Sequence, residues 1–142
     1  MPAPDFVYPN VGDHAYAKVA LDPVSLDLRM QRLLRARRGF DGPLGRMLLE
    51  LSESRLWRAL GYRSFGDYCR ERLGISPRLA HDLVMAYRRS FDLPEIGDAY
   101  WNGEITWSQA LLLFSICRRD TQAVWIERAR RVTVRRLRHE VA

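Results

Sequence analysis

From residue 22 onward the apolar positions recur three and four apart, the spacing of helices that each bury one face. Val24, Leu28, Met30, Leu33 and Leu34 form such a row over 23–38, and Gly39 suits the stop after it. Asp41 and Pro43 can start a second helix, 43–60, with Leu44, Met47, Leu48, Leu51, Leu56 and Leu60 expected in the core and Gly61 ending it. A third helix is expected from the cap Ser64, with Asp67 in its first turn, to Leu73, stopping at Gly74. The fourth opens at Ser76 and runs to about Ser90. Its Pro77 falls at the first helical position, where an N–H has no intrahelical partner to lose. Pro94 starts a short fifth helix that ends near Asn102-Gly103. Thr106-Trp107-Ser108-Gln109 reads as a capping box, and the apolar run Ala110 to Ile116 behind it must be largely buried. Asp120 is expected to cap helix 121–131. Thr133 is expected to cap a last helix, still open at Ala142, which fits either a chain cut at this point or one whose next domain lies beyond it.

No strand alternation and no fixed-period repeat interrupts this pattern. The expected fold is therefore all-α: a compact bundle of seven to eight helices over 22–142, containing a helix–turn–helix at about 64–90. Residues 1–21 hold three prolines and no clear period. They read as an N-terminal arm or irregular lead-in, with Phe6, Val7, Tyr8 and Tyr16 available to pin it to the body.

Composition adds limits. The chain has 142 residues, 47% of them apolar, enough for one domain with a proper core. No apolar run is long enough to span a membrane, and the opening MPAPDFVYPN lacks the basic and apolar regions of a secretory signal. A cytoplasmic location is expected. Cys69 and Cys117 fall inside apolar helical patterns, which favours core thiols over a disulfide. The net charge is +6 and unevenly placed. Residues 1–28 hold Lys18 against Asp5, Asp13, Asp22 and Asp27, net −3, whereas 29–142 hold 22 arginines against 13 acids, net +9. A basic body attracts polyanions, and the guanidinium fork suits phosphate and guanine; an arginine-rich codon usage would give the same choice of cation.

Enzyme chemistry is not expected. His14, His81 and His139 are far apart and have no metal-ligand spacing, and two lone cysteines cannot complete a zinc site. Neither a Gly-rich phosphate loop nor a G-x-S-x-G elbow occurs. Glu50/Glu53 and Asp67/Glu71 have the helical spacing of a solvated face. No catalytic residue, metal or cofactor is assigned.

One constellation points to a partner. In FGDYCRERLGISPRLAHDLVMAYRR, residues 65–89, a short helix, a turn at Gly74-Ile75-Ser76 and a second helix follow one another. Cys69, Leu73, Ile75, Ala80 and Leu83 fall where such helices pack together, while Ser76, Arg78, His81, Asp82 and Met85 are expected to face outward. That side would reach base edges in a major groove of double-stranded DNA, with Arg88 and Arg89 at the phosphates. Asp82 would repel phosphate unless it reads a cytosine or pairs with Arg78, and Arg70 stands where such motifs usually carry a small residue. Two packed helices with no DNA role would have the same pattern. Residues 118–140 add eight arginines against three acids. Arg130, Arg131, Arg135 and Arg136 are the candidate phosphate contacts there, with a solvated helical face as the alternative. Trp57, Trp101, Trp107 and Trp125 sit at apolar helical positions and are expected in packing rather than base stacking.

Two resemblances bear on these residues. Leu73-Gly74-Ile75-Ser76, Leu93-Pro94-Glu95-Ile96, Gly103-Glu104-Ile105-Thr106 and Val132-Thr133-Val134-Arg135-Arg136-Leu137 resemble the helix–turn–helix core of ParB-type partition proteins. The nucleotide-binding arginine motif of that family is absent upstream, so no nucleotide binding is carried over. The closer similarity runs from Trp57 to Val141. Leu60-Gly61-Tyr62-Arg63-Ser64-Phe65-Gly66-Asp67-Tyr68-Cys69 and Gly103-Glu104-Ile105-Thr106-Trp107-Ser108-Gln109-Ala110 resemble the helical region that precedes the nuclease domain in bacterial HNH endonuclease-like proteins. The nuclease residues are absent, so that resemblance implies a non-catalytic, DNA-associated N-terminal part. A homodimer, or a C-terminal partner domain, is the further partner expected. The alternative function is a protein-interaction or scaffold domain without DNA binding.

Overall fold

Every long apolar-periodic segment forms a helix, and the computed structural model, which describes residues 22–142, contains no strand among them. The arm expected over 1–21 lies outside these residues. In order the helices are α1 (Pro23–Arg38), α2 (Asp41–Glu53), α3 (Phe65–Asp67), α4 (Pro77–Asp92), α5 (Pro94–Trp101), α6 (Trp107–Ile116), α7 (Gln122–Arg131) and α8 (Val134–Val141). α3 is one turn long and runs straight into a π-helical turn, Tyr68–Leu73.

α6 is the centre. It is apolar nearly all round, and it touches α4, α5, α7 and α8. Leu113 and Phe114 on it join Ile96 of α5, Ile126 of α7 and Leu137 of α8 in the larger of two buried clusters. Its capping box is complete: Thr106 Oγ1 accepts the Gln109 amide, and Gln109 Oε1 accepts the Thr106 amide at 2.8 Å. The other end of the Gln109 carboxamide donates to the carbonyls of Ala129 and Val132, at 2.6 and 3.1 Å. A single buried polar side chain therefore starts α6 and ties down the end of α7. Trp101, Trp107 and Trp125 pack partly buried against this cluster, as expected of them; Trp57 is half-buried outside both clusters.

The smaller cluster is Leu48 of α2, Cys69 of the π turn, and Ala80 and Leu83 of α4. α2 and α4 approach closely at Gly45. A Cβ there would stand 2.6 Å from the backbone oxygen of Leu83, so only glycine permits this crossing. Cys69 and Cys117 are both free thiols, buried one in each cluster.

Several expected core positions are not core. The row on α1 is solvent-facing throughout: Val24, Leu28, Met30, Leu33 and Leu34 are exposed, and no residue of α1 is buried. Periodicity identifies an apolar face, but what covers it is a separate matter. The expected helix 43–60 stops at Glu53. Arg55 takes a left-handed φ of +55° and the chain continues in turns to Gly61, which leaves Leu56 and Leu60 exposed; Met47, within α2, faces solvent as well. Ser54 Oγ bonds back to the Glu50 carbonyl at this end, a local competitor to further helix. Leu73, expected between the two helices of the turn motif, is also exposed. Asp120 lies inside a 3₁₀ turn, Arg119–Thr121, rather than capping α7. There Thr121 Oγ1 takes the Arg118 amide instead.

Candidate nucleic-acid interface

The start of α4 is set by its local sequence. Ser64 Oγ accepts the Asp67 amide at 3.0 Å and begins the short helix before it. Gly74 ends that segment with φ +67°, a left-handed conformation that glycine holds without cost, and the Ile75 amide closes back to the Cys69 carbonyl. Ser76 then extends the chain, its Oγ accepts the Leu79 amide at 3.1 Å, and Pro77 follows at the first helical position. α4 therefore starts from a fixed point with Ala80 and Leu83 inward.

Ser76, Arg78 and His81 lie on the opposite, exposed side. The Arg78 side chain keeps 90% of its accessible surface and stands 3.9 Å from Asp82, a loose pair that sets a cation against the one unfavourable acid of this face. Met85, expected outward, instead packs against the larger cluster.

The far end of α4 is different. Arg88 pairs with Glu53 of α2. Arg89 is turned inward: Nε and Nη2 donate to the Phe114 carbonyl at 3.1 and 3.0 Å, and Nη1 reaches Asp92 at 3.3 Å. Phe114 lies in the last turn of α6, where carbonyls lack intrahelical donors, so Arg89 caps that helix. The expected phosphate contact is thus engaged in holding α4 to α6.

The C-terminal arginines are largely paired as well. Arg130 donates to Glu104 and, at 3.0 Å, to Glu127; Arg131 meets Glu127 at 2.6 Å. Arg128 and Arg136 both hold Glu140, whose carboxyl they pull down to about 2. The Glu127 carboxyl is lowered too, by its hydrogen bond from Arg130 and then by Arg131. Arg135 is exposed and has no ion-pair partner among the described residues. Paired surface arginines can still change partner, since such pairs contribute little in water.

The same holds on α1: Arg29, Arg32, Arg35, Arg37 and Arg38 have no ion-pair partner among the described residues. Arg37 and Arg38 line a groove of about 470 Å³ whose other wall includes Ile75 and Leu79, at the start of α4. These cations, not singled out in the sequence, adjoin the exposed turn. Their signal was present as five arginines and no acid in 29–38.

The two thiols are held in their protonated form. Burial pushes the Cys69 thiol up and the Cys117 thiol up to about 11, and a thiol is a weak nucleophile when protonated. Among the described residues no three His, Cys, Asp or Glu side chains come together as a metal-binding group. No described helix is long and apolar enough to cross a membrane. No family model, curated protein or solved structure matches the chain.

Proposed function

We propose that the chain is a non-catalytic helical DNA-binding module of the cytoplasm, with α4 as the helix offered to the major groove. The observation that carries this reading is the start of α4. It is capped, turned out by Gly74, and exposes Ser76, Arg78 and His81 beside the cations of α1. Arg78 and His81 contact base edges, and the amide end of the helix at Ser76 contacts a phosphate. Arg37, Arg88, Arg130, Arg131, Arg135 and Arg136 supply backbone contacts, some by exchanging a surface carboxylate for a phosphate. The likeness to the region preceding bacterial HNH nuclease domains supports a role as the targeting part of a larger nuclease-like protein.

Fluorescence anisotropy with labelled duplex DNA across a salt series tests this reading. Affinity is expected to fall linearly in log–log form, with a slope that counts the phosphates engaged. Arg78→Ala is expected to weaken the preferred site by about 1–3 kcal/mol and relax one position of it. Arg78→Ala binding indistinguishable from the parent would remove α4 from the interface.

A second reading, a protein-interaction or oligomerisation domain without DNA binding, draws on a separate observation: the exposed apolar row of α1. Absence of DNA binding even at low salt would leave this reading in first place.

A further inference from the structure

We propose that the exposed row of α1 pairs with the same row on a second copy of the chain, the two helices running antiparallel. The inference deepens the interaction reading and does not require DNA binding, although it draws on Arg37, which is also among the proposed phosphate contacts. Leu26, Met30, Leu33 and Leu34 share one face of α1, yet no residue of the helix is buried. A different side touches the body. Arg38 stands over the Tyr100 ring and donates to the Ile105 carbonyl at 3.4 Å, while Arg35 packs over Gly103. Leu33 lies about 140° round the helix from Arg38 and is 72% exposed. Helices in proteins draw most of their stability from packing such a face. Among the described residues none buries this one, and of its four apolar side chains Leu34 alone lines the groove toward Ile75 and Leu79.

Charge selects the partner and its direction. Asp22 and Asp27 stand at the start of the helix, and five arginines fill the rest from Arg29 to Arg38. A parallel copy would set like charge against like, acids against acids at the start and arginines against arginines over the rest. An antiparallel copy sets the acidic start of each helix beside the basic end of the other. With Met30 near the two-fold axis, Asp22 comes alongside Arg37 of the second copy. Such a contact is self-complementary and closes as a pair. One 16-residue helix, about 24 Å long, offers less than the roughly 800 Å² that each partner gives to a standard interface. The dimer therefore belongs to the transient class. Two like-charged bodies also repel, so added salt strengthens the pair, opposite to its effect on phosphate binding.

The test is sedimentation of the full chain from low micromolar to sub-millimolar concentration, at low and high salt. A monomer–dimer equilibrium is expected, favoured by salt. Leu33→Glu is expected to weaken it at least about tenfold with unchanged circular dichroism, since among the described residues Leu33 stays 72% exposed. Direction is read by cross-linking, which the buried native thiols do not confuse. Met30→Cys is expected to give a disulfide-linked dimer. Leu26→Cys is not, because its two copies would lie about 10 Å apart along the axis, beyond the roughly 7 Å that a disulfide spans. Equal cross-linking of both variants overturns the antiparallel arrangement, and a chain that stays monomeric overturns the dimer. In that case the dye ANS decides the wider reading. Dye bound by the parent and lost in Leu33→Glu leaves the row to another partner, whereas no dye bound by either removes the interaction reading as well.

Discussion

The two buried clusters differ in more than size. The larger one gathers side chains from α4 to α8 around Phe114 and is laced by buried polar groups: Gln109 joins α6 to the end of α7, and Gln122 accepts the Glu95 amide at 3.1 Å while donating to the Arg119 carbonyl. The smaller one, under the start of α4, has four buried residues and no buried polar side chain. It is held by two serine caps, one left-handed glycine and the close crossing at Gly45. Rigidity in the first region comes from satisfied buried hydrogen bonds in a dense core. In the second it comes from local backbone geometry, which fixes a direction but contributes little free energy. The surface proposed to meet DNA stands over the weaker of the two.

The most severe test of this contrast is a pair of cavities. Phe114→Ala is expected to cost about 3–5 kcal/mol and to destabilise the whole bundle in urea unfolding. Leu48→Ala is expected to cost about 2–4 kcal/mol, with amide exchange accelerating in α2 and the first half of α4 before α6. If α6 loses protection equally in Leu48→Ala, the two clusters are one cooperative unit and the contrast fails.

Gly45→Ala probes the crossing itself. Alanine favours a helix interior by about 1 kcal/mol over glycine. Here its methyl would press on the Leu83 carbonyl and the Tyr87 Cβ, so overpacking of about 1–3 kcal/mol should win. Thermal melting gives the sign. A stabilised variant would mean that α2 and α4 can separate freely.

Ser76→Ala removes the cap of α4 and is expected to cost about 1 kcal/mol. Its effect should be confined to exchange of the first-turn amides, with α6 to α8 unchanged. The smallest effect is acid fraying of α8. Arg128, and then Arg136, hold the Glu140 carboxyl near 2, below its ordinary value of 4.5. A depressed folded value stabilises above the unfolded one, and this contribution is lost as pH falls from about 4.5 toward 2. Helical signal from α8 should decline in that window, and Glu140→Gln should already lack the contribution at neutral pH. An unchanged titration in Glu140→Gln would point to another carboxylate.

The helix starts with a serine or threonine cap were legible because each is written locally, whereas Asp120 does not cap α7. Ser64, Ser76, Thr106 and Thr133 all cap the helices expected of them, and Gly74 holds its left-handed turn. Long-range events were not. Nothing in the spacing of Arg89 shows that it would cap α6 through Phe114, and Arg130 meets Glu104 across 26 residues. The apolar row of α1 was read as core because its period has the same form whether the cover comes from this chain or from another. The end of α2 was missed because Arg55, with no glycine or proline beside it, adopts a conformation usually left to glycine.

Arg89 has a mechanical consequence. α4 is bolted at its last turn, by Arg89 to the Phe114 carbonyl and by Arg119 Nε to the Asp92 carbonyl at 3.2 Å, and is braced midway by Gly45 of α2. It is a beam anchored at its far end and seated near its start by Ala80 and Leu83, so play at either support moves the tip. Over a helix about 24 Å long, each 5° of play at the anchor moves the tip by about 2 Å, several times the roughly 0.5 Å tolerance of a recognition site. In the proposed DNA interface the aim of Arg78 therefore depends on the opposite end of the helix as well as on its start, through a guanidinium that would make no contact with the DNA itself. Loosening that bolt should blur what the tip distinguishes before it weakens how tightly the molecule holds on.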